Sequence, residues 1–394
     1  MDGIREELLT ITHTADEYNK YLNAVVPPVF LNSLHLYDSF EEYLEAASDP
    51  CQEEKFVYGR DQNPTVHILE KKIAELEHGA RAIVFASGMG AAAAAIMTTC
   101  NAGSHIVCMR DVYQPVKRFL NYFCVPKFGM TVTYVSGNDL DEVEMAMKKP
   151  NTTLMILESP ATFVFRVVDL KAIAKLAHQY EVKTYIDNTC MTPLFQKPLD
   201  LGIDICMHTM SKYIGGHSDI LGGVLVSKDE KLVCDMITTV REWYASVMGP
   251  MEAWLAIRGL RTLSVRVEEH QRTGMAVAKW LEKNEKVKKV YYTGLDSHPQ
   301  ADLIKRQQKG HTSLMSLELD ATPEETIKFI NRLHLFGKGC SWGGFESLAI
   351  MPLYKAEQEE LDFLKAPRGL IRLYCGLEGS ENLIEDLERA FAGM

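Results

Sequence analysis

The amino-acid sequence predicts an α/β protein with a mostly parallel central sheet and a smaller α/β domain toward the C-terminus. Three observations support this. Between about Pro64 and Pro250, short runs rich in β-branched and aromatic residues alternate with helical stretches, the rhythm of right-handed βαβ units. Phe85-Ala-Ser-Gly-Met-Gly90 sets small residues between a strand and a helix, an arrangement that turns helix N-terminal amides toward an anion. Past Pro250 the order changes, and helical segments precede the remaining strands.

Residues 1–60 are mixed and acidic, with Pro27-Pro28 and few periodic signals, and read as an arm contacting a neighbouring subunit. Residues 61–250 form the main domain. There, Val66 to Glu77 is amphipathic, Ala82 to Phe85 is a strand, and Gly88 opens a helix whose run Ala91 to Ala95 packs tightly. Ile106 to Met109, Thr131 to Val135 and Thr153 to Leu157 follow as strands, and Lys183 to Ile186 and Ile205 to His208 as buried ones. Residues 251–394 form the smaller domain, with helical segments Met251 to Val267 and Gly274 to Asn284 and strands Ser313 to Leu319 and Leu370 to Tyr374. No internal repeat or low-complexity tract stands out.

A chain of 394 residues, 46% hydrophobic, can bury a large core. A net charge of −11 without a basic tract argues against a nucleic-acid partner. The N-terminus lacks the basic and apolar regions of a signal peptide, and apolar runs such as Gly90 to Met97 are too short to span a bilayer. Nine cysteines with no Cys-x-x-Cys pair read as reduced core residues of a cytoplasmic protein, with no disulfide framework and no metal site.

Two side chains point to pyridoxal phosphate. Asp187 closes one buried run and can keep a pyridine nitrogen protonated. Lys212 follows another and can form a Schiff base with the cofactor aldehyde. Both then lie at C-terminal ends of strands, where open α/β sheets bind ligands. The turn Ser87-Gly88-Met89 and the hydroxyls of Thr209 and Ser211 are candidate phosphate donors, and Tyr58 and Arg60 add a phenol and a charged fork.

Taken together, Tyr58-Gly-Arg60, Asn63-Pro-Thr65, Ser87-Gly-Met89, Asp187-Asn-Thr189, Ser211-Lys-Tyr213, Gly216-His-Ser-Asp219, Arg258-Gly-Leu-Arg-Thr-Leu263, Ser297-His-Pro299, Gly343-Gly-Phe-Glu-Ser347, Ile371-Arg-Leu373 and Gly376-Leu-Glu378 resemble the cysteine and methionine metabolism family of fold-type-I pyridoxal phosphate enzymes. The resemblance runs from Tyr58 to about Asp386. It implies a homotetramer of paired catalytic dimers in which Tyr58 and Arg60 reach the phosphate of the neighbouring subunit. It also implies that Tyr113 stacks on the cofactor ring and serves catalysis, that Arg372 grips the substrate α-carboxylate, and that Ser341 and Trp342 bind substrate near the lysine.

Each of these residues has an ordinary alternative. Tyr113 suits an interface or core, Arg60 an exposed ion pair, Arg372 a solvated strand face, and Cys340 a buried small hydrophobe. His208, His217 and His298 are read as structural. Substrate class turns on departures from the family pattern: Thr162 replaces an asparagine, Gln114-Pro115 follows Tyr113, and Trp342 replaces a leucine. These resemble the cystathionine β-lyase branch, whereas Asn63-Pro-Thr65 resembles γ-acting members. Asp61 and Cys340 replace an arginine and larger side chains beside the substrate's far end, which predicts preference for a neutral or cationic distal group, the alternative being that Asp61 only caps the turn before Asn63-Pro64 and faces solvent.

The expected reaction is β-elimination of a cystathionine- or cystine-like thioether amino acid. Lys212 removes the α-proton, a thiolate leaves Cβ, and pyruvate and ammonia follow. A γ-acting lyase or transferase is the alternative, and a cofactor-binding protein without turnover is a third class. Retention of Lys212, Asp187 and Arg372 argues against the third.

Overall fold

The computed structural model describes residues 5–49, 51–244 and 246–394. The chain folds around two sheets. The larger contains β1 (Arg81–Phe85), β2 (His105–Met109), β3 (Thr131–Val135), β4 (Thr152–Glu158), β5 (Lys183–Asp187), β6 (Ile205–Thr209) and β7 (Gly223–Ser227), in the order β1-β7-β6-β5-β4-β2-β3. β3, β2, β4, β5 and β6 pair in parallel, while β7 runs antiparallel to both β6 and β1. The smaller sheet contains β8 (Val287–Tyr291), β9 (Leu314–Leu319), β10 (Leu348–Ile350) and β11 (Ile371–Tyr374), in the order β10-β11-β9-β8, antiparallel throughout.

Burial explains why the parallel strands form. Every residue of β2 and of β7 is buried, and Ile83, Val84, Phe85, Ile106, Val107, Leu154 and Ile186 are inaccessible to solvent. Such near-continuous apolar runs suit a sheet covered by helices on both faces. The helix Gly88–Thr99 packs its alanines against β6 and β7. Its first turn is capped by the Ser87 hydroxyl, which accepts from the Gly90 N–H at 3.0 Å.

The helix Leu263–Leu281 joins the two halves. Leu263 and Val267 belong to the core around the large sheet, and Val277, Ala278 and Leu281 to the core around the small one. This helix corrects the sequence expectation of segments Met251 to Val267 and Gly274 to Asn284. The break falls instead at Thr262 (φ −110°, ψ 4°), between helices Pro250–Arg261 and Leu263–Leu281. Gly274 lies inside the second helix for a packing reason, since a Cβ there would meet the Ser313 Cα at 2.8 Å.

Three further expectations are revised. β7 is a strand although the sequence reading passed over Gly223-Val-Leu-Val-Ser227, and its apolar run follows the pair Gly222-Gly223. The arm holds helices Arg5–His13 and Phe40–Ala47, the latter capped by Ser39 accepting from the Glu42 N–H. The cysteines are not all reduced. Cys51 and Cys234 form a disulfide with Cα atoms 5.6 Å apart, tying the arm to the helix Glu230–Met236. Their sequence separation of 183 residues hides that proximity. Among the described residues, no helix is long and apolar enough to cross a membrane.

Candidate active site

The carboxyl ends of β5 and β6 set the chemistry. Asp187 ends β5, and its Oδ1 accepts from the Thr189 N–H at 3.0 Å and from the Thr189 hydroxyl at 2.5 Å. Burial pushes this carboxyl above its ordinary pKa, and the two Thr189 bonds oppose the shift. Among the described residues, Oδ2 carries no hydrogen bond and is free for a donor. Thr189 also accepts, through its hydroxyl, from the Thr209 N–H at 2.9 Å, so one side chain locks the ends of both strands.

At the end of β6, Thr209 and, two residues on, Ser211 have hydroxyls 3.2 Å apart. A Cβ on Gly88 would meet the Thr209 Cβ at 2.7 Å, so the first turn of helix Gly88–Thr99 is pressed against these hydroxyls. Helix N-terminal amides beside two hydroxyls form a cradle suited to a phosphate, and only glycine permits so close an approach.

Lys212 occupies a tight turn closed by the Gly215 N–H on the Met210 carbonyl (2.9 Å) and the Gly216 N–H on the Lys212 carbonyl (2.7 Å). Its Nζ donates to the Ser341 hydroxyl at 2.7 Å and lies 5.3 Å from the Trp342 ring centroid. Burial, followed by the positive charge of Arg372, lowers the lysine pKa below its ordinary value. That favours the neutral amine needed for a nucleophile or base.

Arg372 comes from β11, whose neighbours are β9 on one side and β10 on the other. All four residues of β11 are buried, and Arg372 is only 9% exposed, which rules out the solvated strand face. Its Nη2 donates to the Cys340 carbonyl at 2.9 Å. Among the described residues, nothing accepts from Nε or Nη1 and no carboxylate lies within 4 Å, so one edge of a buried cation is available to an anion. Burial lowers its pKa to about 10.

These groups share one cavity of about 430 Å³. Ser87, Gly88, Met89, Tyr113, Asp187, Thr209, Ser211, Lys212, Ser341, Trp342 and Arg372 line it. Tyr113, half exposed, is anchored by its N–H on the Glu158 carboxylate at 2.6 Å. Tyr58 and Arg60 are absent from the lining. Tyr58 is 44% exposed, the Arg60 guanidinium sits 5.1 Å from its ring, and Arg60 meets Asp61 at 3.2 Å and Glu242 at 3.8 Å. Asp61, engaged by Arg60, likewise has no place in this chain's cavity.

Cys340 is exposed and lines the cavity, contrary to the expectation of a buried thiol. It lies on an irregular segment rather than inside an element, so no packing face covers it. His208 bonds Glu77 (2.5 Å), His217 the Gly215 carbonyl (2.7 Å) and His298 the Phe165 carbonyl (3.0 Å), and none of the three lines the cavity.

The sequence reading missed Glu158 and Glu346 as cavity residues. Glu158 ends β4 beside Asp187, and burial, then the Asp187 charge, pushes its carboxyl well above the ordinary range. Its signal was a carboxylate at a strand end, as for Asp187. Glu346 accepts from the Ser218 hydroxyl at 2.7 and 2.8 Å, joining the motifs Gly216-His-Ser-Asp219 and Gly343-Gly-Phe-Glu-Ser347.

The profile of the family described as Cys/Met metabolism PLP-dependent enzymes matches residues 9–392. Over 387 residues the chain is 36% identical to the L-methionine gamma-lyase of Fusobacterium nucleatum subsp. nucleatum, covering 96% of each chain. Over 384 residues it is 36% identical to the cystathionine beta-lyase of Coxiella burnetii, again covering 96% of each. A crystal structure of metB from Corynebacterium glutamicum superimposes with a TM-score of 0.90 over 98% of both chains, at 29% identity.

Proposed function

The chain belongs to the Cys/Met metabolism PLP-dependent enzyme family, and from that premise we propose that it is a carbon–sulfur lyase releasing a thiol, pyruvate and ammonia from cystathionine- or cystine-like amino acids by β-elimination. Pyridoxal 5'-phosphate, when bound, supplies an electron sink for charge developing at the substrate Cα. The Gly88 turn, Thr209 and Ser211 would hold its phosphate, Asp187 its ring nitrogen, and Lys212 its aldehyde carbon. Arg372 receives the substrate carboxylate on its open edge. Lys212, held by Ser341 and depressed in pKa, takes the proton from Cα. Tyr113 covers the cavity from the Glu158 side. Loss of thiolate from Cβ leaves a three-carbon fragment that hydrolyses to pyruvate and ammonia.

The observation that carries the reading is the convergence of Lys212, Ser341 and Arg372: a half-buried amine beside a buried cation that, among the described residues, has no protein anion. The β preference is supported by Thr162 and Trp342, two departures from the family pattern that both line the cavity. Asn63-Pro-Thr65, the motif resembling γ-acting members, has structural work here instead. Asn63 caps the helix Pro64–Leu76 and donates to the Phe30 carbonyl at 2.8 Å, and Thr65 accepts from the Phe30 N–H at 2.9 Å. A γ-acting lyase or transferase remains the second reading, favoured by the similarity to a methionine gamma-lyase.

We propose a homotetramer of catalytic dimers, with Tyr58 and Arg60 serving the neighbour's phosphate. The arm supports this by exposing Leu22 (98%) and Leu36 (89%), apolar surface of the kind that a partner subunit covers. The deciding experiment is incubation with L-cystathionine. Pyruvate is the expected keto acid, and 2-oxobutyrate in its place refutes β-elimination.

A further inference from the structure

We infer that Arg266 is a positioning residue that fixes the backbone turn carrying Lys212, and through it the placement of the lysine amine against Ser341. The inference rests on the proposed role of Lys212 and adds a residue outside the cavity. Arg266 lies in the first turns of helix Leu263–Leu281 and is 7% exposed. A guanidinium so buried is ordinarily balanced by a carboxylate, because taking a cation out of water is costly unless an anion meets it. Among the described residues, none lies within 4 Å of it. Its donors go to backbone carbonyls instead: Nη1 to Tyr213 at 2.7 Å, and Nη2 to Gly259 at 2.7 Å and to Ile214 at 3.4 Å. Nε donates to the Thr262 hydroxyl at 3.1 Å.

Tyr213 and Ile214 are the two residues that follow Lys212. The third carbonyl, Gly259, belongs to the last turn of helix Pro250–Arg261, where it also accepts from the Thr262 N–H and hydroxyl, each at 3.2 Å. One planar fork therefore ties the lysine turn to the junction of two helices, a geometry that a lysine ammonium cannot reproduce.

The backbone is shaped to receive this fork. Gly216 has φ +72°, and a Cβ there would meet the Arg266 Nη1 at 2.0 Å. A Cβ on Gly259 would meet the Ile214 carbonyl oxygen at 2.4 Å, so that helix lies flush on the turn. From the opposite side, Gly343, with φ +91°, leaves no room for a Cβ against the Lys212 Cα, which would be 2.8 Å away. Gly343 follows Ser341 and Trp342 by two residues and one. The Lys212 backbone is thus clamped between the segment that supplies its hydroxyl partner and the Arg266 fork. Without the fork, the carbonyls of Tyr213 and Ile214 lose their donors inside the protein, and the turn gains freedom at the point where the amine must be held.

The test compares wild type with Arg266→Met, which retains bulk without donors, and Arg266→Lys, which retains the charge without the fork. Hydrogen exchange is read on peptides spanning 210–216, whose Gly215 and Gly216 amides close the turn, alongside kcat and KM. In Arg266→Met, exchange in that turn rises by roughly tenfold or more while peptides from β5 stay unchanged. kcat falls by roughly tenfold or more with KM changed less than about twofold, as expected when a reacting group is misplaced while substrate binding is kept. Arg266→Lys recovers part of both.

Wild-type exchange in the turn, or loosening spread evenly through the protein, overturns the proposal. So does a fall in kcat without loosening of the turn. If Arg266→Met does not fold, Arg266→Lys carries the test alone, and exchange and kcat identical to wild type overturn it. A wild-type protein that binds no pyridoxal phosphate refutes the proposed role of Lys212 instead, and absorbance of the purified protein distinguishes that failure from this one.

Discussion

Replacing Arg372 by methionine removes a buried cation whose open edge faces the cavity, and the structure indicates how much that costs. The Nη2 donor is already spent on the Cys340 carbonyl. Nε and Nη1 remain for a substrate carboxylate. Hydrogen bonds to charged groups contribute about 1.5–3 kcal/mol each. Two of them, less the desolvation of the carboxylate, give about 3–4 kcal/mol, or roughly 10²- to 10³-fold in affinity. The assay is spectral titration of the cofactor-loaded protein with a thioether amino acid and with the same amine lacking its carboxyl group. Wild type should favour the amino acid by roughly that factor, and Arg372→Met should bind the two alike.

A second readout has a defined sign. Arg372 follows burial among the causes that depress the Lys212 pKa. Removing this like charge raises that pKa, so less neutral amine is present at a given pH. The midpoint for combining apoprotein with pyridoxal phosphate then moves to higher pH. An Arg372→Met protein that still discriminates as wild type does, or whose midpoint moves down, refutes the assignment.

Lys212→Ala should lose the visible absorbance of the lysine-linked cofactor together with turnover, and substantial remaining activity rejects Lys212 as the base. Arg60→Ala and Lys212→Ala should each be inactive yet regain activity when mixed, because a hybrid dimer contains one intact site; subunit exchange without recovery counts against a shared site. Cys51→Ser should lower stability by about 2–4 kcal/mol through loss of the long loop that the disulfide closes, and thiol counting on unfolded, unreduced wild type should find seven free groups; nine would remove the disulfide.

Much of the site was legible because its residues sit where local pattern changes. Asp187 and Lys212 each follow a β-branched or apolar run that reads as a strand, whereas the glycine turn before helix Gly88–Thr99 is a weak signal alone and points to an anion only together with the hydroxyls of Thr209 and Ser211. The resemblance added Arg372, Ser341 and Tyr113, which lie on separate segments that only the tertiary fold brings together. What stayed hidden depends on distance across the fold. Cys51 and Cys234 give no sign of pairing when counted along the chain, and Glu158 differs from any strand-end carboxylate only by what buries it. Gly274 misled for a related reason, since a glycine that ends a helix and one that admits a neighbouring backbone look the same in one dimension.

Among the described strands β11 comes last in chain order, yet it is an inner strand of its sheet, holding β9 on one edge and β10 on the other. About 160 residues separate Lys212 from Arg372, so at 5–20 residues per second the large sheet can exist for roughly 10–30 s before the carboxylate-binding strand appears. β9 is complete about 50 residues before β11 begins, so for roughly 3–10 s it offers an unpaired apolar edge, the kind of surface that invites pairing between chains. A truncation that spares every residue before β11 would therefore be expected to yield aggregate rather than a quiescent half-enzyme. Loss of β11 would then be expected to act through edge protection during synthesis as much as through substrate recognition.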